Sequence, residues 1–277
     1  MIQDIEPRIF QNQYKTKKAD LKDLFLAYKD GSVLVKEDKD KLWYPSFYDY
    51  VQMYPNLINK AQFLFTIDAI NYYLVNSEDF DVLAGWSFVS SKKFRTETKF
   101  WRSFAGVVGL QLQRWYSNHK YCSRCKHDLS HSTKGRFLKC DNCKFKVYPT
   151  IAPCVIVGVY NKDQLLLTKY VGREYRNYAL VAGFVEVGET LEDTVKREVM
   201  EEVGLKVKNI QFYKSQPWPF TDTLLAGFFV QVDGADKITL QKDELSVGVW
   251  IKRKDIPTQI SNLSLTGEMI EVFRTYK

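Results

Sequence analysis

Residues 183–205, GFVEVGETLEDTVKREVMEEVGL, constrain this chain more than any other stretch. Thr190, three residues ahead of Asp193, has the form of a capping box, and Gly204 stands where a helix would end. Between them Leu191, Val195, Val199 and Val203 recur every four residues, which predicts a helix with one buried side. Glu198, Glu201 and Glu202 stand at i, i+3 and i+4 and spread over an arc of about 100° bordering that stripe. The expectation is three carboxylates at the edge of a core. Like charges crowded there repel, and partial burial adds a desolvation cost. Divalent cations relieve both; Mg²⁺ and Mn²⁺ prefer carboxylate and water oxygens and share their shell with phosphates. Gly183 and Gly188 let the preceding backbone approach a metal or phosphate closely. Glu189 and Arg197 are placed to pair and brace that loop against the helix.

A bare E-x-x-E-E is ordinarily a solvated acidic face. Here Gly183, Glu189, Arg197, Glu198, Glu201, Glu202 and Gly204 all fit G-x5-E-x7-R-E-U-x-E-E-x-G-U, with Val199 and Leu205 as the bulky apolar U. This resembles the Nudix box, the mark of hydrolases that cleave a nucleoside diphosphate linked to another group.

The cysteines divide four and one. Cys122-x2-Cys125 and Cys140-x2-Cys143, 14 residues apart, suit tetrahedral zinc held by four thiolates. A closed site of that kind holds a loop together and does no chemistry. Cys154, in APCVIVGVY, reads as a small buried core residue.

With 277 residues the chain has room for about two domains. No run of about 18 apolar residues is present, the first ten residues lack a signal-peptide pattern and the last five carry no targeting tripeptide, so no membrane span and a cytoplasmic location are expected. A net charge of +7 serves solubility in the plain reading and attraction to polyanions such as RNA in the sharper one. Residues 30–35, 62–70 and 85–89 read as strands, the polar run 36–41 as a turn or exposed loop, and 100–116 as a helix. From residue 150, strands are expected at 155–159 and 164–168 around a turn at 161–163, then at 178–181, 210–214, 224–232 and 247–251, with a closing helix at 265–276. The expected class is α/β: an N-terminal α+β domain over 1–117, a four-cysteine zinc ribbon over 118–149, and an α/β/α sandwich with a mixed sheet over 150–277.

After the box comes Ser215-Gln216-Pro217-Trp218-Pro219-Phe220. With the four-cysteine element, this resembles the NADH pyrophosphatase branch of the Nudix hydrolases, whose array is S-Q-P-W-P-F-P-x-S. Thr221, Asp222 and Thr223 stand in the last three places; Pro to Thr at 221 loses a fixed φ and gains a donor. The resemblance is specific from about residue 116 to 276. It implies that Glu198, Glu201 and Glu202 bind catalytic Mg²⁺ or Mn²⁺, joined by Glu244 from KDELSVGVW and by the backbone carbonyl of Ala182. It implies a pocket lined by Gln216, Pro217, Trp218, Pro219, Phe220, Thr221, Asp222 and Thr223. Tyr148 and Phe184 match aromatics that sandwich a ring of the substrate, Thr266 a backbone contact, and Arg95 a basic contact from an N-terminal Nudix-like accessory domain. Each has a plainer rival: ribbon packing for Tyr148, the core for Phe184, an exposed loop for Glu244. Trp218 reads as a rigid wall in a loop held extended by Pro217 and Pro219.

The implied activity is hydrolysis of NAD(H) at the pyrophosphate, giving NMN(H) and AMP, and removal of NAD caps from RNA 5′ ends, by a homodimer. Glu201 and Glu244 are both candidates for the base. The alternatives are another nucleoside diphosphate derivative, such as ADP-ribose or a dinucleoside polyphosphate, or a non-catalytic zinc-ribbon module.

Overall fold

The computed structural model of the chain describes residues 1–39, 41–95, 100–172, 177–258 and 263–275. It falls into two compact units, Ile2–Thr150 with Pro219–Thr221, and Ile151–Trp218 with Asp222–Lys277 and Met1.

The second unit is built on the strand Ala152–Asn161. It runs parallel to Thr223–Val232, which pairs antiparallel with the edge strand Val207–Trp218. On its other side it forks. Only Tyr160 and Asn161 pair with Gln164–Tyr170, whereas Cys154 to Val157 pair with Val181–Phe184. Gln164–Tyr170 continues the sheet to Leu245–Lys252. Strand alternation divides the residues between two cores. Val155, Val157 and Val159 face one with Val195, Val199 and Val203 of the helix Leu191–Val203. Cys154 and Ile156 face the other with Leu265, Met269, Ile270 and Phe273 of the helix Leu265–Thr275. The result is the expected α/β/α sandwich with a mixed sheet.

Boundaries differ from the expectations where backbone geometry decides. The strand foreseen at 178–181 lies at Val181–Phe184, running into the start of the box, while Ala179 makes only an isolated bridge to Thr168. The strand foreseen at 210–214 runs over Val207–Trp218, with register shifts at 208/211 and 212/214 and Asn209 at φ 53. Pro217 and Trp218 therefore lie on a strand and not in a loop. Pro217 is tolerated because this is an edge strand, where one row of N–H groups needs no partner.

In the first unit, residues 30–35 are not one strand. Asp30 and Gly31, at φ 48 and 72, turn the chain between Tyr28–Lys29 and Ser32–Asp38. Residues 62–70 likewise split into Gln62–Ile67 and Ile70–Leu74 around Asp68 at φ 55. The polar run 36–41 is no exposed loop but belongs to a hairpin, in keeping with the turn reading: Lys36, Glu37 and Asp38 pair with Trp43, Leu42 and Lys41. Residues 36–39 are solvent-exposed, so no apolar alternation marks the strand. The short strand foreseen at 85–89 is Ser87–Ser90, and the long helix is Phe100–Asn118. Tyr276 lies outside the described residues; the last helix is described to Thr275. No helix among the described residues is long and apolar enough to cross a membrane. In the ribbon, Leu129–His131, Leu138–Cys140 and Lys146–Val147 form a small antiparallel sheet.

Phe228, 2% exposed, fills the core beneath the box helix and meets Phe212 edge-on at 5.6 Å. Phe228→Ala is expected to destabilise the fold by about 3–5 kcal/mol, the usual cost of a buried Phe truncation. Denaturant midpoints read this, and a loss below about 1 kcal/mol would show that the core is not closely packed there.

Candidate active site

The helix Leu191–Val203 starts and stops as its sequence demands. Thr190 Oγ1 accepts from the Asp193 N–H at 3.1 Å, and Gly204 ends the helix at φ 69, ψ 25 with its N–H on the Met200 carbonyl. Downstream backbone covers the last turn, Thr239 N–H donating to Val203 O and Gln241 N–H to Glu202 O. That second contact suspends the turn carrying Glu244 from the box helix.

The three box glutamates do not share one environment, contrary to the expectation of three edge positions. Glu202 is 1% exposed and belongs to the buried side. The side chain of Glu198 is 12% exposed and that of Glu201 53%. The helical wheel explains the order: from Val199 they lie about 60°, 100° and 160° round the axis for Glu202, Glu198 and Glu201. An edge position describes Glu198 alone.

Glu198 is pressed against the strand Val181–Phe184. A Cβ on Gly183 would fall 1.8 Å from the Glu198 carboxyl carbon and would displace that carboxylate from its place. This brings Ala182 and Gly183 beside the glutamates. Burial raises the Glu198 pKa above its ordinary value; Arg197 opposes the rise, and the charges of Glu201 and Glu244 add to it. Glu244 lies in a turn, half-buried, with its charge felt at Glu198. Cys154 is buried as expected, and its thiol is pushed up to about 12, first by burial and then by the charges of Glu198 and Glu202.

Arg197 braces the loop through Glu189, donating from Nε to Oε1 at 2.6 Å and from Nη2 to Oε2 at 3.0 Å. Nη2 also holds the Phe184 carbonyl at 2.9 Å, while Nη1 bridges Glu198 at 2.7 Å and Glu201 at 2.9 Å. The second bridge was not read from the sequence, although Arg197 and Glu201 stand at helical i, i+4 spacing, the signal that carries it. An all-oxygen donor set around a glycine suits a hard divalent cation. Among the described residues, however, only the four ribbon cysteines draw donor atoms within 4.8 Å of one another.

Phe184 is 55% exposed and is no core residue. Gln216 is fully buried, and its amide is committed to backbone: Nε2 donates to Leu263 O at 3.0 Å and Oε1 accepts from Leu265 N at 2.6 Å. It fixes the start of the helix that carries Thr266 in its first turn. Trp218 is half-buried against the second core, and Thr223 is buried. Asp222 turns the chain at φ 59 and its carbonyl accepts from Ala152 N–H.

Pro219, Phe220 and Thr221 group with the first unit. There the Arg95 guanidinium lies over the Phe220 ring at 4.4 Å, and Arg114 Nη2 donates to the Pro219 carbonyl at 2.6 Å. Arg114 carried no signal in the sequence, because a helical arginine bound to a distant carbonyl leaves no local pattern. Tyr148, also of the first unit, is 58% exposed with its ring 5.4 Å from Phe137, so it packs on the ribbon and still presents a face to solvent.

In the ribbon, Cys122 Sγ lies 3.5 Å from Cys143 Sγ and Cys125 Sγ 3.4 Å from Cys140 Sγ, with no disulfide. A tetrahedral thiolate site with bonds of about 2.3 Å needs sulfurs about 3.8 Å apart, so the cage fits a metal ion. The Cys125 thiol is drawn down to about 5, first by the His127 N–H.

Residues 150–272 match the NUDIX domain family. The chain is 43% identical over 149 residues to the NAD-capped RNA hydrolase NudC of Shigella flexneri, and 42% identical over 149 residues to that of Escherichia coli strain K12. Each match covers 54% of this chain and 58% of the relative, so it spans little more than half the length of these curated proteins. Among solved structures, a NUDIX hydrolase from Nitrosomonas europaea aligns with 56% of this chain and 90% of its own at 21% identity, with a TM-score of 0.48.

The Arg197 pairing sets a pH dependence. Glu189 is drawn from its ordinary 4.5 to about 2, first by Arg197 and then by the Glu186 N–H. Its folded pKa is depressed, so its contribution to stability is complete above 4.5 and is lost as pH falls towards 2. Glu189→Gln should therefore be less stable than the wild type at neutral pH, and the gap should close by about pH 2. A gap that stays constant in denaturation curves across that range would show that the pairing does not stabilise the fold.

Proposed function

We propose that this chain, whose residues 150–272 match the NUDIX domain family, hydrolyses the pyrophosphate of NAD(H) to NMN(H) and AMP and removes NAD caps from RNA 5′ ends. The observation that carries the reading is the Glu198 carboxylate packed against Gly183, with the charges of Glu201 and Glu244 acting on it, in a domain whose curated relatives are named NAD-capped RNA hydrolases.

Glu198, Glu201, Glu202 and Glu244, with the Ala182 carbonyl, would hold Mg²⁺ or Mn²⁺. Those ions supply charge neutralisation at the phosphates and activation of water. The chain's own residues do the rest. Arg197 fixes the orientation of Glu198 and Glu201 and ties both to the Phe184 carbonyl. Glu201 and Glu244 are candidates to accept the proton of the attacking water, and the exposure of Glu201 favours it for exchange with solvent. Phe184 offers an open aromatic face for a nicotinamide or adenine ring, with Tyr148 as the second candidate. In the array, the burial of Gln216 and Thr223 supports a supporting role, leaving Trp218, Phe220, Thr221 and Asp222, with Pro217 and Pro219, as wall. Thr266 would offer a backbone contact, and Arg95 a phosphate contact or, through Phe220, support for the wall.

The ribbon cage is assigned to one structural Zn²⁺, and the chain is assigned a three-part organisation over 1–117, 118–149 and 150–277. The cytoplasm and a homodimer complete the proposal.

Three experiments test it. Glu202→Gln keeps the shape and removes the charge, and it should cut NADH turnover roughly a hundredfold or more at saturating Mn²⁺, since cation-assisted charge stabilisation is worth several kcal/mol. In H₂¹⁸O the label should enter a phosphate of NMN or AMP; release of nicotinamide and ADP-ribose would sink the reading. Metal analysis of purified protein should return one zinc per chain, lost together with thermal stability in Cys140→Ser, because a structural site contributes folding free energy. Protein that is stable and free of zinc would overturn the assignment.

A further inference from the structure

The chain's positive charge is concentrated in the ribbon. Residues 118–149 hold eight Lys and Arg against two Asp and Glu, a balance of +6 in a chain whose total is +7. All three histidines are there as well.

The strands sort these charges onto one face. Lys139 pairs with Lys146 and Leu138 with Val147. Leu138 and Cys140 are buried, so Lys139 and Lys146 point the other way. Two residues before Lys139 and two after Lys146, Phe137 and Tyr148 fall on the same side. The Lys146 ammonium lies 5.2 Å from the Phe137 ring centre, and the Phe137 and Tyr148 rings are 5.4 Å apart at 41°. Lys144, two residues before Lys146, is exposed, and Arg124 lies 5.0 Å over Phe145. Asp141 is the one acid of this cluster: Lys139 pairs with it at 2.8 Å, Ser130 donates to it at 2.9 Å, and Lys144 donates to its backbone carbonyl.

Cations alternating with aromatic rings match one kind of polymer. Lysines attract phosphates, and rings accept unpaired bases by stacking. An acidic peptide would satisfy the lysines and leave the rings without a use. A duplex keeps its bases inside and could not reach the rings.

We propose that the Phe137–Lys139–Lys146–Tyr148 face of the ribbon binds single-stranded RNA, with phosphates on Lys144 and Lys146 and a base on Phe137. The proposal deepens the reading of capped RNA as a substrate and rests on it for its role, but the binding itself is measured without catalysis.

The test uses the full-length, zinc-loaded protein and a fluorescent, uncapped single-stranded RNA of about ten nucleotides, titrated by anisotropy at several salt concentrations. The Lys144→Gln/Lys146→Gln double variant should bind about tenfold more weakly or worse, and its log–log salt slope should fall by about 1.4, the value for two single-strand phosphate contacts. Lys146→Arg should retain the slope. Phe137→Ala should lose about tenfold in affinity with the slope unchanged, as for a lost stacking contact. All variants should keep one zinc per chain, and the lysine variants should keep wild-type kcat/KM on NADH. RNA affinity unchanged in the double variant, equal binding of a blunt duplex, or a matching loss on NADH would overturn the proposal. If NADH is not hydrolysed while RNA binds as expected, the catalytic reading fails and the RNA site stands.

Discussion

Negative charge at the boundary of an apolar core is the constraint on which the second unit depends. Glu202 lies among Val195, Val199 and Val203, and Glu198 stands at the rim against Gly183. Carboxylates so placed are tolerated only where compensating charge is fixed nearby. Arg197 supplies part of it, reaching Glu189, Glu198, Glu201 and the Phe184 carbonyl from one guanidinium. Because that planar fork is shared among helix, loop and strand, the loop before the helix has one position relative to the glutamates. What the arginine leaves uncompensated is what a divalent cation would take.

The sheet makes that crowding possible. Ala152–Asn161 pairs with Gln164–Tyr170 at one end only, and at the other it accepts Val181–Phe184. The fork places Ala182 and Gly183 opposite Ile156 and Val155, directly beside the helix stripe that carries Glu198 and Glu202. Cys154, across from Phe184, feels both carboxylates for the same reason. Helix caps, fork and glycine thus converge on one spot.

What was legible in the sequence was what local periodicity and fixed spacing encode. The capped helix, the cysteine cage, the central strands and the brace of Glu189 by Arg197 all follow from offsets of two, three, four or eight residues. Positions that depend on turns were less legible: Asp30-Gly31 and Asp68 cut apparent strands because positive φ leaves only a weak trace in residue choice. The strand pairing beside the turn at 36–41 was hidden because residues 36–39 are solvent-exposed and show no apolar alternation. Gln216 and Arg114 were illegible for a different reason. Their partners, Leu263, Leu265 and Pro219, are more than 45 residues away, and a long-range hydrogen bond has no period.

Net charge illustrates the same distinction between totals and placement. A balance of +7 over 277 residues suggests little beyond solubility. Its placement says more, since outside residues 118–149 the chain is nearly neutral. A field spread evenly over a surface attracts polyanions weakly everywhere, whereas charge concentrated on a short element raises the local potential and is damped only over about a Debye length, about 8 Å at physiological salt. The ribbon adds aromatic rings held 5.4 Å apart among those charges. A four-thiolate cage that keeps a small sheet rigid would hold such a row in register without a large core, and this gives the cage a use beyond stability.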